Sequence, residues 1–387
     1  MAIKTRAAQS GQNQVSVFDE IHIIGTAIGV KGTLDSDARA TLELARGWAD
    51  LGAPVTLYTD HTGYLLAQDH DLHNVVYRVW PTERWRRFGR VIHPMAKSLI
   101  GWMYSRRIKT NGLIYSASNS WADLFASQQA RRLNPGARWV SGIKTIDPKY
   151  LIRYAANAVM TSQIERNADL VFAVGGTDRA RLDARFGGRS HRLRLGIDPM
   201  VMQARAGKRK RYDACFIAAN ESIRGWAQLA NAWRHVRTYR PDAKLAIMVS
   251  GPQSVPPLVK HLFAKRELAD DISWSFNPDE VARQKTLLAS RIFISSFTDT
   301  NSLLIGEAMA AGLPVIGFES PALTVDYQIG RMTVPIGDWA SLGHLLIHIL
   351  NHRGLYLRLK KQAKAEASTR DWNHCAGQAL EFIRAAF

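Results

Sequence analysis

Ser295-Ser296-Phe297-Thr298-Asp299-Thr300-Asn301-Ser302-Leu303-Leu304-Ile305-Gly306-Glu307-Ala308-Met309-Ala310-Ala311-Gly312-Leu313-Pro314-Val315-Ile316 is the stretch that decides the fold. It follows the apolar run Arg291-Ile292-Phe293-Ile294, as a buried parallel strand requires. Small and polar residues then form a loop, and a helix begins near Ser302. The backbone N–H groups of Asn301, Ser302, Leu303 and Leu304 open that helix without intrahelical partners, which makes a cradle for an anion. Asp299 stands in the loop and Glu307 inside the helix. Gly312 and Pro314 end the helix and start the next strand. A phosphate cradle next to a carboxylate that can hold hydroxyls suits a ligand carrying both groups.

Upstream, the same alternation repeats. Ile21-His22-Ile23-Ile24-Gly25 reads as a first strand and runs into a glycine-bearing loop, Thr26-Ala27-Ile28-Gly29-Val30-Lys31-Gly32-Thr33. A helix is expected from Asp37 to Leu51, stopped by Gly52, with a second strand from Pro54 to Thr59. Strand, glycine loop, helix, strand opens a nucleotide-binding α/β domain, although the loop lacks a strict G-x-G-x-x-G. Further strands fall at Val75–Val79, Gly112–Ser116, Ala137–Ser141 and Leu170–Val174, then at Asp213–Ala219 and Ala243–Gly251. Strands alternating with helices predict parallel sheets covered on both faces.

The chain has 387 residues, enough for two domains, and 46% hydrophobic residues, enough for two cores. Cys215 and Cys375 form neither a disulfide framework nor a metal pattern, which fits a reducing cytoplasm. No secretory signal and no long apolar run is visible; residues 1–17 are expected to be a flexible tail. Asp35-Ser36-Asp37 is explained by helix capping and His70-Asp71-Leu72-His73 by a polar turn, so neither metal nor cofactor is expected. The net charge of +18 implies attraction to a polyanion: nucleic acid, an anionic membrane or anionic substrates.

The segment Asp299, seven residues, Glu307, then Ala308-Met309-Ala310-Ala311-Gly312-Leu313-Pro314-Val315 closely resembles the donor-binding signature of retaining glycosyltransferases of family 4, with Asp where that family usually has Glu. The resemblance implies the GT-B fold: α/β, two Rossmann-like domains facing across a cleft, with a C-terminal helix crossing back to the first. On that basis residues 18–197 form the N-terminal acceptor domain, joined by a helix over about 370–387, and residues 198–369 the nucleotide-sugar domain. The stretch Arg192-Leu193-Arg194-Leu195-Gly196-Ile197-Asp198-Pro199 resembles the family's hinge, and Asp371-Trp372 the aromatic before the crossing helix.

The resemblance also assigns roles. Glu307 holds the donor ribose, Asp299 contacts the donor sugar, and the amides of Asn301 to Leu304 bind phosphate. The loop with Gly29, Lys31 and Gly32 faces the cleft; its glycines also serve a tight turn. Arg224, before Gly225, stands where the family has Lys-Gly. The family's upstream Arg is replaced by Ala219 or Asn220, so a phosphate clamp is missing: either another cation, Lys31 or Lys144, compensates, or the enzyme is slower or differs in donor. No histidine occurs in Val140–Pro148, where the family often has one; Lys144 or Asp147 occupies that area.

Between Arg78 and Lys109, Trp80, Trp85, Phe88, Trp102 and Tyr104 are interleaved with Arg84, Arg86, Arg87, Arg90, Lys97, Arg106 and Arg107. This mixture suits an anionic bilayer interface, a solvated face over core tryptophans, or single-stranded nucleic acid. The expectation is a metal-independent, retaining hexosyl transfer from a UDP- or GDP-sugar to a lipid-linked or polysaccharide hydroxyl in bacterial surface-glycan synthesis. The enzyme would be cytoplasmic and peripheral on the inner face of the plasma membrane, with Arg84, Trp85, Arg86, Arg87 and Arg90 on the membrane or acceptor side. Two other readings remain: an epimerase or hydrolase of the same fold, and a basic nucleic-acid-binding protein.

Overall fold

The computed structural model describes residues 20–26, 36–70, 72–82, 89–118, 120–143, 162–174, 179–197, 210–218, 221–249, 255–295 and 302–387. Two all-parallel sheets organise them. The first has the order β3-β2-β1-β4-β5-β6-β7: β1 Ile21–Ile24, β2 Val55–Asp60, β3 Val75–Trp80, β4 Leu113–Ser116, β5 Arg138–Ile143, β6 Leu170–Val174 and β7 Ser190–Leu193. The second has the order β10-β9-β8-β11-β12-β13: β8 Tyr212–Ala218, β9 Leu245–Val249, β10 Ile272–Phe276, β11 Ser290–Ile294, β12 Val315–Phe318 and β13 Arg331–Val334.

In each sheet the strand order reverses once, beside its first strand. Ile24 pairs with Ser116 at the β1/β4 step, and Phe216 with Ile294 at the β8/β11 step. In open parallel sheets the crevice outside the carboxyl ends of the strands at such a reversal is where ligands bind.

Helices cover both faces of each sheet, so the central strands are apolar throughout rather than alternating. On one face of the first sheet, α1 Ser36–Asp50 seats Leu42, Ala45 and Trp48 over Ile21, Ile23 and Leu57. On the other, α3 Gly89–Ser105 and α4 Trp121–Leu133 seat Ile100, Leu124 and Ala126 against Trp80, Ile114 and Trp139. Between them in sequence lies α2 His61–Asp69; after β6 comes α5 Arg179–Phe186. The second lobe adds α6 Ile223–Tyr239, α7 Pro257–Ala264, α8 Glu280–Ala289, α9 Ser302–Ala310, α10 Pro321–Thr324, α11 Trp339–Asn351 and α12 Arg353–Ser368. Trp226, Trp233, Phe216 and Phe263 anchor its core.

The last helix, α13 Trp372–Ala386, belongs by packing to the first sheet. Its Ala376, Ala379, Leu380 and Ile383 join the cluster that contains α1. Gly47 permits the approach, since a Cβ there would lie 2.5 Å from that of Ala376; the Trp48 indole donates to the Ala376 carbonyl at 3.1 Å. Gly196 lies flat against Trp372 for the same reason, with a Cβ position 2.5 Å from the ring. Asp371 caps the helix by accepting from the His374 amide.

The basic, aromatic segment is only partly a surface. Trp80 is 2% exposed, as the reading of a solvated face over core tryptophans has it, whereas Lys97, counted with the basic residues of that face, is 7% exposed and does not belong to it. Trp80 ends β3 inside the core under α3. Lys97 points into the fold because two acceptors at the carboxyl edge of the sheet need a cation.

Candidate functional site

The signature segment folds as its residues dictate. Ser290–Ile294 is β11, Ser302 opens α9, and Gly312 takes φ +77 to end it, allowing Val315 to start β12. Glu307 lies one turn and a half into α9 and is 1% exposed. The residue before it has to be glycine: a Cβ on Gly306 would stand 2.7 Å from the Tyr327 hydroxyl and 3.0 Å from Ile197. Tyr327 is fully buried beneath the helix, with the Arg370 guanidinium 3.9 Å over its ring; burial pushes its phenol above the usual range, so it stays neutral.

Glu307 is the centre of a charge cluster that joins the lobes. Arg283, on α8, donates from Nε to Oε2 at 3.1 Å and from Nη2 to Oε1 at 3.3 Å, a bidentate fork. Arg39, in the first turn of α1 on the opposite lobe, donates from Nη1 to Oε1 at 3.1 Å. The same Nη1 lies 2.7 Å from Glu280 Oε1, at the start of α8. Arg39 and Glu307 are both almost wholly buried, Arg39 at 2%. Sequence reading missed Arg39 and Arg283. For Arg39 a signal existed: an arginine set between Ala38 and Ala40 on a helix whose apolar spacing points inward.

The first lobe contributes a second buried polar group at the β1/β4 reversal. Asp123, on α4 and 0% exposed, accepts from the Thr26 amide at 2.8 Å, the Thr26 hydroxyl at 2.6 Å and the Ser118 hydroxyl at 2.5 Å. Lys97 donates to the Thr26 carbonyl at 2.5 Å and pairs with Asp60 Oδ2 at 2.5 Å. Asp60 in turn accepts from the Gly63 amide at 2.8 Å, capping α2. Thr26 is the second residue after β1. Its amide, hydroxyl and carbonyl are all held, so the root of the loop that leads to α1 is fixed from below.

The other expected site residues are distributed as follows. Arg224 is exposed in the first turn of α6, whose N-cap Ser222 accepts from the Gly225 amide at 3.1 Å; its Nη2 would lie 3.7 Å from a Cβ on Gly337. Leu303 is buried and Leu304 half-buried, so their contribution is the backbone that starts α9 with Ser302. Arg90 lies in the first turn of α3. Gly29, Lys31, Gly32, Arg84, Trp85, Arg86, Arg87, Lys144, Asp299 and Asn301 lie outside the described residues. Among the described residues no group of three or more His, Cys, Asp or Glu side chains converges as a metal site.

α1 of the first lobe and α8 and α9 of the second therefore converge at Glu307. The arrangement holds a buried carboxylate, two guanidinium groups, and the amino end of α9 beside it. That end carries partial positive charge and unpaired amides, and so attracts an anion.

No known protein-family profile matches the sequence, and no curated protein matches it. Solved structures do match the fold. Anabaena HepE in complex with UDP and glucose superposes with a TM-score of 0.68 at 14% identity, over 95% of this chain and 99% of that one. The pneumococcal O-GlcNAc transferase GtfA, in complex with UDP and GlcNAc, gives 0.66 at 11% identity over 96% and 99%. A Rickettsia africae glycosyltransferase gives 0.66 at 15% over 96% and 99%. Over nearly its whole length this chain has the GT-B fold, two Rossmann-like lobes facing one cleft with the C-terminal helix returned to the first.

Proposed function

We propose that the chain is a retaining, metal-independent glycosyltransferase. It moves a sugar from a nucleotide-sugar, UDP- or GDP-linked, to a hydroxyl on a lipid-linked or polysaccharide acceptor at the cytoplasmic face of a membrane. The observation that carries the reading is Glu307. A carboxylate in the family-4 signature position lies buried at the meeting of the two strand-order reversals, beside a helix amino end. Structural neighbours solved with UDP and a sugar support the donor class.

In this reading the donor diphosphate rests against the amino ends of α9 and α6, with Arg224 at the latter. These fixed dipoles and cations neutralise charge that builds on the leaving diphosphate as the glycosidic bond breaks. Cations filling that role make a metal unnecessary. Glu307 holds the ribose. A carboxylate offers about four acceptor positions, and three are taken by Arg39 and Arg283. One acceptor position is left for a ribose hydroxyl and two once Arg39 swings away; at 1% exposure, Glu307 accepts either only as the cluster opens. Arg39 released from Glu307 keeps its contact with Glu280 and brings positive charge from the acceptor lobe, in a chain whose second lobe lacks the family's upstream phosphate arginine. Donor binding would then exchange one ion pair for another, arginine to carboxylate for arginine to diphosphate.

The cluster also decides which variant tests Glu307. Glu307→Ala takes the carboxylate away from the buried Arg39 and the half-buried Arg283, and breaking a buried ion pair costs about 3–5 kcal/mol, so Glu307→Gln is the cleaner variant. The test is thermal stabilisation by UDP, GDP and their sugars. A ligand present at about 100 times its Kd adds about 2.7 kcal/mol to apparent stability. Stabilisation by one nucleotide class, reduced in Glu307→Gln, supports the reading; indifference to every nucleotide and nucleotide-sugar overturns it. Anomeric analysis of the product then decides between retention and inversion.

A further inference from the structure

The outer face of α3 and α4 has a composition that a solvated surface does not explain. Along α3, Met95, Leu99 and Met103 recur every four residues and are 68%, 57% and 44% exposed. Trp102 flanks this stripe, with the Arg106 guanidinium 4.0 Å over its ring. On α4, Trp121 is 37% exposed and packs at a tilt on Phe125, 5.2 Å centroid to centroid. The only acidic side chain on either helix is Asp123, and it is buried beneath Thr26. Single exposed apolar residues are ordinary; a contiguous row on one helix beside a second aromatic pair marks a contact surface.

The basic residues are not scattered over this face. α3 and α4 both return from strands of one parallel sheet and so run the same way. Their carboxyl ends carry Arg106 and Arg107 on one and Arg132 on the other, with Arg166 in the last turn of the short helical stretch over 162–167 beside them. At that end a cavity of about 450 Å³ is lined by Trp102, Phe125, Gln128, Arg132, Gln163 and Arg166 among others. Opposite it, the apolar half lies level with the cleft. Lys97 reaches Asp60 and Thr26 at the carboxyl edge of the sheet from one side of α3, while Met95 and Leu99 project from the other.

We propose that this face docks on an anionic phospholipid bilayer. Met95, Leu99, Met103 and Trp121 enter the interface, and Arg132 and Arg166 in the cavity take a lipid phosphate headgroup. Charge complementarity selects the occupant: apolar side chains rimmed by arginines, with the neighbouring carboxylates Glu165 and Asp169 already paired to Arg185 and Arg131, match a surface that is apolar inside and negative at its rim. The inference deepens the membrane part of the proposed function and rests on that part alone, not on the donor chemistry. It places the membrane on the helical flank of the acceptor lobe, with the apolar half nearest the cleft, where an acceptor hydroxyl on a lipid would arrive.

The full chain is sedimented with phosphatidylcholine vesicles with and without phosphatidylglycerol. Wild type is expected to bind only the anionic vesicles. Leu99→Glu/Met103→Glu and, separately, Arg132→Glu/Arg166→Glu should each weaken binding at least ~tenfold with unchanged thermal unfolding. A matched reversal on the other lobe, Arg358→Glu/Lys361→Glu on α12, should change it by less than ~twofold and controls for the net charge. The proposal is overturned if wild type ignores anionic vesicles, if either face variant binds like wild type, or if the distant reversal loses as much. It is equally overturned if the face proves to join two copies, seen as a solution dimer that Leu99→Glu/Met103→Glu dissociates. UDP stabilisation measured on the same samples separates the two readings. A shift without vesicle binding removes this inference alone, and vesicle binding without any nucleotide shift removes the donor reading and leaves the face.

Discussion

The two lobes build their halves of the cleft by opposite means. In the second lobe the site is local: strand, loop, helix and turn within one short stretch place Glu307 at the carboxyl edge of the sheet. In the first lobe the corresponding edge is assembled from residues far apart. Thr26 and Asp123 are 97 positions apart in sequence, and Thr26 and Lys97 are 71. A local site can tolerate changes in the rest of its lobe. An assembled one fails when any of its distant partners is lost. The largest difference should therefore appear in stability rather than chemistry, with the first lobe the more fragile.

Asp123→Ala should have the largest effect. It leaves the Thr26 amide, the Thr26 hydroxyl and the Ser118 hydroxyl buried without their acceptor. At about 1–3 kcal/mol for each stranded buried group, a total near ~4 kcal/mol is expected once partial relaxation is allowed for. Chemical denaturation of the full chain measures it. An effect below ~1 kcal/mol would mean that the Thr26 region rearranges freely, and that it is no fixed floor for the cleft.

Glu307→Gln comes next and acts mainly on chemistry. The amide keeps the shape of the carboxylate and one acceptor oxygen, and loses the charge that faces Arg39 and Arg283. A loss of ~100-fold in kcat/KM for the donor, ~2.7 kcal/mol in transition-state stabilisation, is the expected outcome. Full activity would show that the second lobe's carboxylate only ties the lobes together, which would make the two halves of the cleft alike in being structural.

These two residues also show what was legible in the sequence. Glu307 could be read because its role depends on neighbours close in the chain: the glycine before it, the glycine and proline that end its helix, and the strand ahead of it. The two parallel sheets were legible for the same reason, since strand and helix periodicities are local. Asp123 could not be read. In the sequence it is an acid in the first turn of a helix, where solvation or capping explains it. Only the β1/β4 reversal brings it under Thr26. Lys97 was read with a basic surface, and Trp80 as either interfacial or core, because basic and aromatic residues cluster around them. Their burial depends on which side of α3 meets the sheet, and the segment's composition does not encode that.

Arg39→Gln addresses the coupling between the lobes. It removes the one described hydrogen bond from the first lobe to Glu307 and leaves the bidentate Arg283 fork intact. If Arg39 moves to the donor diphosphate, the variant should raise the donor KM ~tenfold, about 1.4 kcal/mol, and steepen no salt dependence elsewhere. If Arg39 only blocks a ribose position, the same variant should lower KM. The sign of the change in donor KM therefore decides between a phosphate ligand and a latch.

Arg224→Ala should be the smallest effect. Arg224 is exposed at the start of α6, so water screens its charge in the free protein and its removal strands no buried partner. Stability should be unchanged, and the donor KM should rise no more than ~fivefold, under ~1 kcal/mol. A much larger rise would mean that donor binding closes the cleft over Arg224 and strips its water, since only a desolvated guanidinium can contribute more than a screened one. That result would transfer the main phosphate contact from Arg39 to Arg224. The second lobe would then hold both ribose and diphosphate by itself, and the first lobe's assembled edge would be left to position the acceptor.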